Sequence, residues 1–240
     1  MFTYDAALLA TAQIIPPSIP DVLQSLRTID ATCADDDGLK WFNWLYLQVT
    51  EAVAARVAVG GLADPAWLAQ LDVQFARLYL SALQASLTGS STPACWRILF
   101  DARSQRCLLR IQFAMAGINA HINHDLPAAI VATCRVTNTA PDSGGTNYRD
   151  YTALNSTLDT LITTAKATLQ VSLPGDQLPP ISQLENTIAA WNVSAARESA
   201  WQGAGHLWQL RAAPPLASSF LDMLDGFTTV IGKALLVPIL

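Results

Sequence analysis

Charge is what this sequence has least of. Asp, Glu, Lys and Arg make up 14% of it against 51% apolar residues, about half the usual charged share. So apolar a chain is not a disordered one; the composition calls for a large core, a buried cavity or an oligomer interface. Basic runs are missing too. The net charge is −5 and the cations are scattered singly, which leaves no stripe to neutralise phosphates and excludes nucleic acid as a partner. No apolar run approaches the ~18 residues of a membrane span, because Arg110, Gln112 and Lys233 interrupt the candidates. Cys33, Cys95, Cys107 and Cys134 lack C-x-x-C spacing, so neither a zinc knuckle nor a thioredoxin-type pair is indicated, and buried reduced thiols are expected. Met1-Phe-Thr-Tyr-Asp5 has no basic leader and no clear cleavage site, which makes the cytoplasm the expected location. Nucleophile elbows, P-loops, dinucleotide glycine motifs, H-E-x-x-H and paired Glu-x-x-His are all absent, as are repeats and β alternation.

What remains is helical. Ser18 or Pro20-Asp21 opens a segment to about Thr32, Leu39–Val59 ends at Gly60-Gly61, and Asp64-Pro65 starts another to about Leu87, each with recognisable caps. Trp96–Arg103 reads as a short helix and residues 107–126 as a long, nearly all-apolar one, which Ala128–Cys134 can continue past a kink at Pro127. Asp35-Asp36-Asp37-Gly38 reads as a solvated turn, and 137–149 as a surface loop. Asp150–Leu169 is helical, Pro174–Pro180 is a break, Ser182–Arg211 is helical, and residues 216–240 hold an apolar C-terminal helix. The expected fold is all-α: one domain over 1–240, about eight helices around a buried central helix at about 107–126.

The central helix ends in Ala116-Gly-Ile-Asn-Ala-His-Ile-Asn-His-Asp-Leu-Pro127, which holds two of the three histidines. Polar side chains on a core helix are costly unless paired, so they form either an internal network or a site. At about 100° per residue, His121, His124 and Asp125 share one face and Asn119 with Asn123 another. The chemical reading makes His121 a proton donor and acceptor whose tautomer Asp125 fixes, with His124 as a second base. The same residues equally suit a polar network that ties the helix to its neighbours. One divalent ion could sit on His121 and Asp125, with His124 able to serve instead of either, but His206, Asp72, Glu51 and Glu198 offer no diagnostic spacing for further ligands, so no cofactor is expected. On other helices Asn43, Tyr46 and Thr50 align, and Asp72 lies on an inward stripe with Leu68, Phe75, Ala76 and Tyr79. An Asp72–Arg ion pair is the expected partner there. Arg197 and Glu198 either reach the central network or form a surface pair. The tryptophans read as packing.

The runs Asp37–Glu51, Leu71–Ala76 with Tyr79, Trp96, and Gly117–Pro127 resemble a family of microbial helical proteins known only as a domain of unknown function, the five-nine-nine-five family. The resemblance spans roughly residues 20–210. It implies a helical fold and marks Asn119, His121, Asn123, Asp125 and Pro127 as motif positions, with His124 at the motif's variable position. It implies no activity.

Four functions follow. The first is a cofactor-independent acid–base enzyme (isomerase, cyclase, lyase or hydrolase, as in biosynthetic tailoring) acting on a small apolar or aromatic molecule. His121 and Asp125 would be catalytic, and Asn119, Asn123, His124, Tyr46, Asn43, Asp72 and Thr50 would bind substrate. The others are a non-catalytic carrier or sensor, a metal-dependent hydrolase, and a partner protein or homodimer joined through the C-terminal helix.

Overall fold

A computed structural model of the chain describes residues 2–169 and 191–238. The described residues are helical throughout, with no strand, and the number of helices is close to the expected eight. The Pro174–Pro180 break lies outside them. In chain order the helices are α1 (Asp5–Ala12), α2 (Ile19–Thr32), α3 (Gly38–Val59), α4 (Pro65–Thr88), α5 (Ala94–Ala102) and α6 (Arg110–Ala120). A π-helical turn (His121–Asp125) leads into α7 (Leu126–Thr137), then α8 (Thr146–Thr152), α9 (Asn155–Leu169), α10 (Val193–Gln209) and α11 (Pro214–Leu235).

Caps set most of these ends. Asp64 accepts from the Trp67 amide at 2.9 Å with Pro65 in the first turn of α4, and Gly89 ends that helix at φ 70, where a side chain would be strained. Gln112 folds back on the Leu109 N–H at 2.8 Å. This starts the central rod at Arg110, three residues later than the composition suggested.

The rod does not stop at Leu126. Pro127 has no N–H to give the Asn123 carbonyl, four residues back, and its ring would crowd it. The backbone widens instead: the Leu126 N–H reaches the His121 carbonyl, five residues back, and α7 carries on in line. Loop 137–149 is shorter than expected. Thr137 closes α7, Asn138 turns it at φ 54, and α8 begins at Thr146 behind Gly145.

The acidic turn also departs from its reading. Asp35 and Asp36 stay exposed, in ion pairs with Lys40 and Arg106. Asp37 is fully buried: it caps α3 through the Leu39 amide at 2.9 Å, takes the forked Arg103 guanidinium, and accepts the Tyr4 hydroxyl at 3.0 Å. Arg103 also holds Asp5 at 3.0 Å. Capping an inward helix end requires a buried carboxylate, and that carboxylate requires a cation.

Glycines let the helices around the rod pack closely. A Cβ on Gly117 would fall inside the Phe42 ring of α3, and one on Gly232 of α11 would strike Ile98. The C-terminal helix is then stitched to the rod by polar groups. Asn119 donates to the Thr228 carbonyl at 2.9 Å, and Gln112 donates to the Leu235 and Val237 carbonyls at 2.8 Å each. Among the described residues no helix is long and apolar enough to cross a membrane.

Candidate functional site

The π-helical turn places the polar cluster. It widens the rod where His121, His124 and Asp125 leave it, and both imidazoles converge on one carboxylate. His121 Nδ1 lies 2.9 Å from Asp125 Oδ2, and His124 Nδ1 lies 2.7 Å from Oδ1. A third donor comes from α5, where Trp96 Nε1 donates to Oδ2 at 2.9 Å. Burial alone would push the Asp125 carboxyl up, but the two histidine hydrogen bonds outweigh it and hold it below the usual range. An ionised carboxylate only accepts, so each Nδ1 carries its proton toward Asp125 and each Nε2 is left for other work.

For His121 that other nitrogen has no partner. The side chain is 1% exposed, and Nε2 is buried without a hydrogen bond. The ring sits in an aromatic box. Phe75 lies flat on it with centroids 3.4 Å apart and planes 6° apart, and Tyr46 meets it edge-on at 4.6 Å. Phe42, Trp96 and Tyr79 close the remaining sides at 5.8, 5.8 and 6.2 Å. Burial in this box pulls the His121 pKa down, and the bond to Asp125 only partly offsets it. His124 goes the other way. Burial opposes its charge, but the Asp125 hydrogen bond and the carboxylates of Asp125 and Asp225 raise its pKa.

Beside the box lies a small, half-open hollow of about 40 Å³, lined among others by Tyr46, Leu71, Asp72, Phe75, Leu126 and Arg197. That is room for about one water molecule. The Tyr46 hydroxyl and Asp72 Oδ2 are likewise buried without partners. Desolvation raises the Asp72 carboxyl to about 7 and the Tyr46 phenol well above its ordinary value. His121 Nε2 in the box, and the Tyr46 hydroxyl and Asp72 Oδ2 on the hollow beside it, are thus unsatisfied, at a cost of about 1–3 kcal/mol each in such an environment. Phe75 is only partly buried and stands between the imidazole and solvent.

The other residues singled out from the sequence are placed elsewhere. Asn43 donates to the Leu26 carbonyl at 2.8 Å and accepts the hydroxyl of Tyr79, one wall of the box, at 3.4 Å, while Thr50 donates to the Tyr46 carbonyl at 3.0 Å. Asn123 donates to Asn119 at 2.9 Å, and Asn119 faces α11 on the side of the rod away from the box. The expected Asp72–Arg ion pair does not form among the described residues. Arg197 lines the same hollow, but its guanidinium holds Asn155 at 2.8 Å and the Tyr151 carbonyl at 2.7 Å. Glu51 pairs with Arg27 on the surface, Glu198 takes the Tyr148 hydroxyl, and His206 is exposed against Phe220, so none stands near His121. Cys33, Cys95 and Cys134 are buried thiols as expected, while Cys107 is exposed.

Sequence reading missed Trp96 as a donor to Asp125 and Phe75 as the cover of the imidazole. The inward stripe of Asp72, Phe75 and Tyr79 on α4 was the visible signal for the second. For the first there was none, since an indole that donates and one that only packs look alike in sequence. A surface groove of about 460 Å³ between α2, α3 and α4 includes none of these groups.

These features describe an all-α protein whose continuous central rod carries a buried histidine–aspartate pair. The chain belongs to DUF5995, a family of unknown function, which it matches over residues 19–238. The match reaches past the resemblance noted above and takes in α11. No curated protein and no solved structure matches the chain.

Asp72 gives a direct pH test. The folded chain keeps its proton up to about 7, whereas an unfolded carboxyl with the ordinary value of 3.8 releases it earlier. Stability from this group is therefore complete below the lower value and is lost as pH rises through the higher. Asp72→Asn is expected to remove that loss, so its melting temperature should gain on the parent's between about pH 5 and pH 8. A difference that stays constant across that range would contradict the buried, unpartnered carboxyl.

Proposed function

We propose that this protein is an acid–base enzyme acting on a small, largely apolar molecule, with His121 as the proton-transferring group and Asp125 as the residue that orients it. One observation carries this reading: a buried imidazole whose Nδ1 is fixed by a carboxylate and whose Nε2 is left bare in an aromatic enclosure. A neutral imidazole in that state is a base ready to take a proton from a bound carbon or hydroxyl acid and return it elsewhere. Asp72, still protonated near neutrality, and the Tyr46 phenol would act as acid or polarise a carbonyl. The water-sized hollow is too small for a substrate, so Phe75 must swing off the imidazole to admit one, and its flat stacking marks where a planar group would lie. Asn119, Asn123, Asn43 and Thr50 serve the scaffold in this reading, and His124 acts on His121 through the shared carboxylate. A role in biosynthetic tailoring fits the apolar lining.

Incubation of the purified protein with a small-molecule extract, followed by mass-spectrometric profiling, tests this. The parent should deplete one compound and build up another, while a folded His121→Gln variant should leave both unchanged. Identical profiles for the two would end the enzymatic reading, and a compound retained unchanged by both would favour a carrier.

The same reading pairs two copies of the chain through α11. Leu216, Met223, Phe227 and Val230 are each more than half exposed and recur at the three- and four-residue spacing of a helix–helix seam. Phe227→Glu should convert a dimer to a monomer in sedimentation, and a parent that is monomeric at every concentration would refute the pairing.

A further inference from the structure

The bond from His124 Nδ1 to Asp125 leaves that ring a second nitrogen, and two further donor groups lie close to the ring. Cys95 sits in the first turn of α5, and Asp225 lies midway along α11. Their sulfur and one carboxylate oxygen lie with a His124 nitrogen inside a mutual spacing of 4.8 Å. These three residues come from three separate helical elements and are 130 positions apart at the extreme of Cys95 and Asp225. Two of the three are held in place by other groups. Asp125 fixes the His124 ring at 2.7 Å. The Ala94 and Cys95 amides each donate to one oxygen of Asp225 at 2.8 Å, which orients the carboxylate and leaves each oxygen a further lone pair. Cys95 is buried, whereas His124 and Asp225 are partly exposed, so the cluster can be reached from solvent.

We infer that Cys95, His124 and Asp225 form a binding site for a single zinc ion. A thiolate, an imidazole and a carboxylate are the mixed soft and borderline donors that zinc takes, and their combined charge of about −2 balances the ion. The carboxylate behind the imidazole is the arrangement that orients a metal-binding histidine and raises its basicity. Three protein ligands leave the fourth tetrahedral position to water. Binding releases the Cys95 thiol proton to solvent: the S–H bond breaks, its electron pair stays on sulfur, and the zinc–sulfur bond forms with no change of oxidation state. Burial keeps that thiol protonated in the metal-free protein, and the cation reverses this.

The ion expected from the sequence would have sat on His121 and Asp125, with His124 able to replace either; this site keeps His124 and takes its other ligands from α5 and α11. It is linked to His121, because zinc on His124 would displace to solvent any proton on the ligating nitrogen and hold that ring neutral, with its Nδ1–H donating to the shared Asp125 carboxylate.

The test uses the full chain stripped with a chelator and then titrated with zinc or cobalt(II). One equivalent of zinc should bind and raise the melting temperature, and cobalt should show the near-ultraviolet charge-transfer band of a thiolate ligand. Cys95→Ser should abolish the band and weaken zinc by more than the ~10–100-fold that loss of an outer-shell partner costs, whereas Cys107→Ser should change neither. His124→Gln gives an independent check that leaves the α5 cap intact. Zinc affinity indifferent to Cys95→Ser and His124→Gln, or a cobalt complex without the band, would overturn the assignment and leave the three groups as hydrogen-bond partners of one another.

Discussion

One carboxylate organises this molecule. Asp125 accepts from His121, from His124 and from the Trp96 indole, and each bond does a different job. Trp96 ties α5 to the rod. His124 is turned toward α5 and α11, where Cys95 and Asp225 wait. His121 is fixed in one tautomer under Phe75. A buried anion with three hydrogen-bond donors is affordable where an anion with none would not be, because the donors replace the lost water. Removing any one of them leaves charge or polarity unmatched in the core, and through Trp96 the same acid couples α5 to the rod.

Its position depends on a backbone irregularity. In a regular α-helix neighbouring residues point apart, and His124 with Asp125 would not meet so closely. Pro127 withdraws a donor from the ladder, the turn widens to five-residue bonds, and the residues at 121–125 splay into the converging arrangement seen here. Such single-turn bulges recur at functional sites because they re-aim side chains without ending the helix. The continuing rod then buries Ala129, Ile130 and Cys134 completely, so the irregularity is held from both sides.

Most helices and their caps were legible in the sequence because proline, glycine and aspartate signal locally; α1 and α8 were not, the one being eight residues long and the other seven. The central rod and its polar end were legible too, since polar residues in an apolar helix stand out. What the sequence could not carry was pairing across elements. That Asn119 faces the carbonyl of Thr228 rather than the box, that Asp37 is buried on Arg103, and that Asp225 caps α5 beside Cys95 are all facts of three-dimensional neighbourhood. Asp72 shows the limit from the other side. Its inward stripe was visible, and a cation was the reasonable partner, yet the guanidinium nearest the hollow is spent on Asn155 and the Tyr151 carbonyl.

The central claim is the tautomer of His121, and long-range proton–nitrogen correlation NMR on the metal-free protein reads it directly. The account requires a protonated Nδ1 and a bare, pyridine-type Nε2 at neutral pH. A proton found on Nε2 would mean that Asp125 does not fix the ring and that no base faces the enclosure.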